Sequence, residues 1–240
     1  MTILIATGLQ REAAILARSG VVVVAGGGDA ARLERELEAA APGARMILSC
    51  GLAGALDPAL KGGDIVLADL FPGEGRGPVG GPAQLDPGLR RGSNLVDVLR
   101  QHLPDAHLGT GIGSDTIIAT VVEKRTLYAK TNALAVDMES HIAARVAARH
   151  NLPFAIIRAI SDDASHALPP AALVGMRPDG AMALGAVLAS LARNPAQLPA
   201  LIRTGIHAGR AFSELRRVGD VLGSLGVGLA DDLQLPLDMR

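Results

Sequence analysis

Residues 134–165 read LAVDMESHIAARVAARHNLPFAIIRAISDDAS, and the change of pattern along them decides the fold. Residues 134–136 are a short apolar run. Asp137, Met138 and Glu139 follow and lead into a helix over residues 140–150, where Ile142, Ala143, Val146 and Ala147 make one stripe at helical spacing. Pro153 breaks that pattern. Residues 154–160 then form a nearly all-apolar strand that stops at Ser161, Asp162 and Asp163. Strand, helix and strand in this order predict two parallel strands joined by a crossover helix, with both acidic clusters at one sheet edge. In open α/β sheets the carboxyl-end edge is where ligands bind. The stretch therefore predicts a site.

Working outward, apolar runs predict strands at residues 3–6, 21–25, 46–49, 65–70 and 107–111. Amphipathic segments predict helices over 9–18, 30–41, 94–102 and 123–130. Residues 72–82 are rich in glycine and proline without apolar period, which predicts a loop long enough to act as a lid. The end of the chain reads as helices broken at Pro178, Pro195 and Pro199. The alternation predicts an α/β fold: three layers, α/β/α, around a central, largely parallel mixed sheet. We expect one domain over 1–240, with about 165–240 as a helical C-terminal extension.

Composition excludes several functions. A net charge of −1 supplies no attraction to nucleic acid, and a chain without Trp, with one Tyr and three Phe, offers no stacking platform for bases. Cys50 is the sole cysteine and the histidines lack H-x-x-x-H spacing, so no metal site is expected. The start, MTILIATG, lacks the basic region of a signal peptide. The apolar run 181–192 is shorter than the about 20 residues that span a bilayer. A soluble, cytoplasmic protein is the expectation. Gly26, Gly28 and Ala31 match G-x-G-x-x-A, but no acid ends the following strand, so the reading is a tight turn rather than a dinucleotide site. G-x-S-x-G is absent. Taken singly, the acids have ordinary readings too: Asp162 as a helix cap, Glu139 and Glu12 as first-turn acids, with Met138 in the core.

The combination carries more. Gly8-Leu9-Gln10-Arg11-Glu12, Cys50-Gly51-Leu52-Ala53-Gly54 with Gly63-Asp64-Ile65-Val66, Val136-Asp137-Met138-Glu139-Ser140 and Arg158-Ala159-Ile160-Ser161-Asp162 stand in this order. Together they resemble the purine nucleoside phosphorylase and nucleosidase superfamily, in its methylthioadenosine/S-adenosylhomocysteine nucleosidase branch. Residues 167–180, read with 136–148, resemble the hopanoid-associated phosphorylase/nucleosidase group. That resemblance implies an enzyme releasing adenine from adenosylhopane in hopanoid biosynthesis. It further implies a small-molecule nucleoside with an apolar hopane tail as partner, a homodimer, and no cofactor, with inorganic phosphate as the one potential co-substrate.

The same resemblance assigns roles. Asp162 would protonate the purine and Glu12 would activate water. Glu139 and Met138 would hold the ribose, and Ser161 and Ile118 the base. Gly8, Ser49 and Leu52 would line the pocket for water or phosphate. The phosphorylases carry an arginine three residues before the S-C-G triplet, where this chain has Met46. A dianion calls for a fixed cation, so hydrolysis is favoured over phosphorolysis. Methylthioadenosine/S-adenosylhomocysteine or futalosine nucleosidase activity is the alternative, and a non-catalytic nucleoside-binding protein is the alternative of another class. The apolar residues 181–191 could touch a membrane surface, or pack in the core or at a subunit contact.

Overall fold

Ile3, Leu4, Ile5 and Ala6 are all buried, as an apolar strand covered on both faces must be. The computed structural model describes residues 2–70, 89–174 and 183–232. In order the elements are β1 (Thr2–Thr7), α1 (Gln10–Leu16), β2 (Val21–Ala25), α2 (Ala30–Ala40), β3 (Ala44–Ala55), β4 (Ile65–Leu70), α3 (Leu89–His102), β5 (His107–Gly113), α4 (Val121–Thr131), β6 (Ala135–Asp137), α5 (Ser140–Arg149), β7 (Phe154–Asp162), α6 (Pro170–Leu173), α7 (Leu184–Arg193) and α8 (Leu198–Asp232). The expected lid at 72–82 lies outside the described residues, as do residues 181 and 182 of the apolar run.

The strands form one mixed sheet in the order β2-β1-β3-β6-β5-β4-β7. β3 also pairs with β7, so β3, β6, β5, β4 and β7 close into a ring. β1–β2, β1–β3, β3–β7, β4–β5 and β5–β6 are parallel. β3–β6 and β4–β7 are antiparallel. One expectation is corrected here. β6 and β7 are not parallel to one another, because β3 runs parallel to β7 and antiparallel to β6. The acidic clusters nevertheless meet, since Gly54 of β3 lies opposite both Val136 and Asp162. Apolar pattern marks a strand but not its neighbour or direction.

The caps follow local chemistry. Asp29 accepts the Arg32 N–H at 2.9 Å at the start of α2. Thr120 and Glu123 make a reciprocal capping box on α4. α8 is more than an appendage. Ala211, Phe212, Leu215, Val218, Leu222 and Leu225 recur at helical spacing and join the same buried cluster as Ile5, Leu48, Leu67 and Ile157 of the sheet. Pro199 does not break this helix: as its second residue it lies in the first turn, where a missing N–H removes no helical bond.

Candidate functional site

Glu12 lies in the first turn of α1 and is only 2% exposed. Its Oε2 accepts from Thr7 Oγ1 at 2.6 Å, Gly8 N at 2.9 Å and Leu9 N at 2.7 Å. Its Oε1 accepts from Leu52 N on β3 at 2.8 Å. One oxygen thus caps the helix in the ordinary way and the other faces the sheet. All four partners donate, which suits a carboxylate that only accepts.

Behind Glu12 stands Arg158, 1% exposed on β7. One guanidinium nitrogen lies 2.9 Å from Asp137 Oδ1 and donates to Ser49 Oγ at 2.5 Å and Ser140 Oγ at 3.1 Å. The other lies 3.6 Å from Glu139 Oε2 and donates to the Leu52 carbonyl at 3.3 Å. Asp137 also organises the start of α5, accepting the N–H groups of Glu139 and Ser140 at 2.8 and 2.7 Å and the Ser140 hydroxyl. Burial pushes the Glu139 carboxyl up to about 8; Asp137 and Glu12 add to this and Arg158 opposes it. Gly8 separates the two glutamates: a β-carbon there would sit 2.9 Å from Glu139 Oε1 and 3.5 Å from Glu12 Oε2.

The second acid lies at the end of β7. Ile160 opposes Ala53 and Asp162 opposes Gly54, leaving Ser161 as the extra residue of a bulge. Bulges beside sites re-aim a side chain. Asp162 caps no helix. Its Oδ2 accepts from Lys124 Nζ at 2.5 Å and its Oδ1 from Ser161 Oγ at 3.0 Å. Gly54 allows this approach, because a β-carbon there would come within 3.1 Å of Asp162 Oδ2.

The predicted residues therefore gather around the end of β3, with distinctions. Glu12, Gly8, Leu52 and Glu139 share one hydrogen-bonded and close-contact cluster. Ser161 joins Asp162. Met138 and Glu139 line a cavity with Gly26, Gly28, Leu33 and Asp115. The Gly27 and Gly28 φ angles of 63° and 82° are those of a tight turn, as expected. The opening of that turn onto Glu139 was not foreseen. Ser49 is fully buried with its hydroxyl engaged by Arg158 and Ser140. Ile118 packs beside Leu56, Ile112 and Val136. Sequence reasoning gave no role to Arg158, Asp137 or Lys124. Arg158 was a lone cation inside an apolar strand, which is a signal; Lys124 sat among ordinary helix charges and gave none. Cys50 is buried, and burial pushes its thiol up to about 12. Among the described residues, no group of three or more His, Cys, Asp or Glu could hold a metal ion, and no helix is long and apolar enough to cross a membrane.

The model of the phosphorylase superfamily matches residues 2–193. The 5′-methylthioadenosine/S-adenosylhomocysteine nucleosidase of Staphylococcus saprophyticus is 32% identical over 130 residues, 49% of this chain and 56% of that protein. Its Staphylococcus aureus counterpart is 29% identical over 132 residues, with the same shares of 49% and 56%. The chain thus spans about half the length of the curated relatives it matches. Among solved structures, the Helicobacter pylori enzyme of the same name aligns with a TM-score of 0.58 at 16% identity, over 94% of this chain and 97% of that one. A futalosine hydrolase mutant of Helicobacter pylori aligns at 0.51 and 18%, over 80% and 99%. These likenesses show the fold, a central mixed sheet flanked by helices and closed by a C-terminal helix.

Proposed function

Because the chain belongs to the phosphorylase superfamily, we propose that it cleaves the N-glycosidic bond of an adenine nucleoside with water, and that its substrate is adenosylhopane. One observation carries the reaction: two buried glutamates flank Gly8 in front of Arg158, and Asp162 stands at the end of the same strand as that arginine. In this reading Asp162 gives a proton to purine N7 and the C1′–N9 electron pair leaves with the base. Glu139 and Met138 hold the ribose as positive charge develops on it, an electrostatic stabilisation. Glu12 removes a proton from the attacking water. Ser161 and Ile118 serve the base, and no cofactor takes part.

Three features favour water over phosphate. Met46 is buried in the core. Ser49 is fully buried behind Arg158. Arg158 itself is engaged by Asp137 and Glu139, so none of the three offers a free cation or hydroxyl to a dianion. The test is base release, with and without phosphate: adenine from adenosylhopane and methylthioadenosine, hypoxanthine from futalosine and inosine. Ribose-1-phosphate products would overturn hydrolysis. Preference for methylthioadenosine would favour the second reading, which the staphylococcal relatives support. Nucleoside binding without release would favour a non-catalytic protein.

For a hopane tail the proposal includes a cytoplasmic homodimer that meets the membrane peripherally. Leu184 and Leu188 of α7 are 62% and 66% exposed, and Leu198, Ile202 and Ile206 continue an exposed apolar row on α8. Residues 183–213 contain Arg193, Arg203 and Arg210 and no acid, a composition suited to anionic lipid. Flotation with anionic vesicles tests this; equal recovery with and without vesicles would refute it, as a monomeric sedimentation mass would refute the dimer.

A further inference from the structure

We propose that Lys124 is a positioning residue for glycosidic cleavage: it holds the Asp162 carboxyl by direct contact and neutralises the carboxylate left when the purine takes its proton. The inference rests on the reading of Asp162 as proton donor.

Lys124 is the one buried residue among those of α4, and its side chain is 0% exposed. Lysine is almost never fully buried unless paired. All three ammonium protons are placed: on Asp162 Oδ2 at 2.5 Å, on the Asp163 carbonyl at 2.8 Å and on the His166 carbonyl at 3.2 Å. Asp162 is the only carboxylate among these acceptors. Ser161 Oγ lies 3.0 Å from its other oxygen and 3.2 Å from the Ala53 carbonyl, and its one proton is shared between these two acceptors. Asp162 is thus held from two elements, the bulge of β7 and helix α4, while retaining 12% side-chain exposure. An apolar side chain at this helix position would pack as well without the cost of desolvating an ammonium. The cation is accounted for by what it does to Asp162.

The proton balance is simple. Asp162 transfers its proton to purine N7, the C1′–N9 bond breaks with its electrons on the base, and Asp162 becomes a carboxylate facing a fixed ammonium. Water adds to C1′ and gives its proton to Glu12. Return of that proton through solvent to Asp162 resets the site. Without Lys124 the new carboxylate lacks its buried counter-charge and the carboxyl loses one of its two anchors. A misplacement of about 1 Å at a reacting group can cost on the order of 100-fold in rate.

The alternative is that Lys124 only ties residues 162–166 to α4. Two substrates separate the two roles: the adenine nucleoside cleaved by the wild type, and a 4-nitrophenyl riboside with the same 5′ group, whose nitrophenolate departs without protonation. For Lys124→Met we expect kcat for adenine release to fall about 10- to 100-fold with KM little changed. Nitrophenyl riboside hydrolysis should stay within about threefold of wild type, and Asp162→Asn should show the same split. Lys124→Arg, which keeps the cation, should recover most of the adenine-releasing rate. Equal losses on both substrates, or no loss on either, would overturn the inference. If Lys124→Met does not fold by circular dichroism, Lys124→Gln replaces it with the same expectations. A wild type that releases no base refutes the function itself; a working wild type beside an equally active Lys124→Met refutes only the role of Lys124.

Discussion

Replacing Arg158 by Met keeps much of the buried stem but removes the charge against which the site's acids are set. The guanidinium is 1% exposed and lies 2.9 Å from Asp137 and 3.6 Å from Glu139. Those two carboxylate side chains are 1% and 9% exposed, so water cannot take its place. Breaking a buried pair from one side costs about 3–5 kcal/mol, because the partner stays buried and unpaired. The lower end applies here, since Glu139 holds its proton up to about pH 8 and leaves Asp137 as the principal orphan at neutral pH. About 3 kcal/mol in a chain of this size corresponds to a Tm loss of about 6–12 °C. The deficit should grow above about pH 8: Arg158 opposes the rise of the Glu139 carboxyl, so without it Glu139 keeps its proton past 8, and the variant goes on losing stability where the wild type levels off. Urea titrations of both proteins at pH 7, 8 and 9 measure the gap, which should widen from pH 8 to pH 9. A gap below about 1 kcal/mol at pH 7, or one that does not grow above pH 8, would refute the ion-pair account.

Glu12→Gln should cost about 1–3 kcal/mol of stability, because its NH2 must face donors that now meet carboxylate oxygens on both sides, and hydrolysis should fall about 100-fold or more; single-turnover rates near wild type would exclude Glu12 as the base. Glu139→Gln should abolish a pH term in stability. The unfolded carboxyl titrates near 4.5 and the folded one near 8. Between these values only the unfolded state has lost its proton, so wild-type stability falls with rising pH by up to about 1.4 kcal/mol per unit and levels off above 8. A Glu139→Gln variant with the wild-type slope would contradict this. Gly8→Ala should lower kcat by about 10-fold or more by displacing Glu139 or Glu12 from a 2.9 Å approach, and an unchanged kcat would show that the glutamates tolerate the shift.

Much of the fold could be read along the chain. The runs around Ile3, Val21, Ile65 and Phe154 are strands, and Asp29 caps α2. The α5 stripe of Ile142, Ala143, Val146 and Ala147 packs into one cluster. The acids of the candidate site were legible only in combination, because Glu12, Glu139 and Asp162 each read singly as a cap or a first-turn acid. Arg158 was visible as a lone cation inside an apolar strand but had no partner in sequence. Lys124 was not legible, since burial of one lysine on a largely exposed helix depends on what lies over it.

The sequence alone determined which segments are strands and helices and which carboxylates stand at strand ends, because apolar period and caps act over a few residues. Tertiary structure decided the directions of β6 and β7, the ring that β3 closes between them and the bulge at Ser161 that turns Asp162 toward Lys124. Strand partners and bulges are chosen by hydrogen bonds between residues far apart in the chain, here Gly54 with both Val136 and Asp162. No local pattern encodes those bonds. The stretch from 134 to 165 therefore carried two acidic clusters, while the long strand β3, paired with both β6 and β7, brought them together.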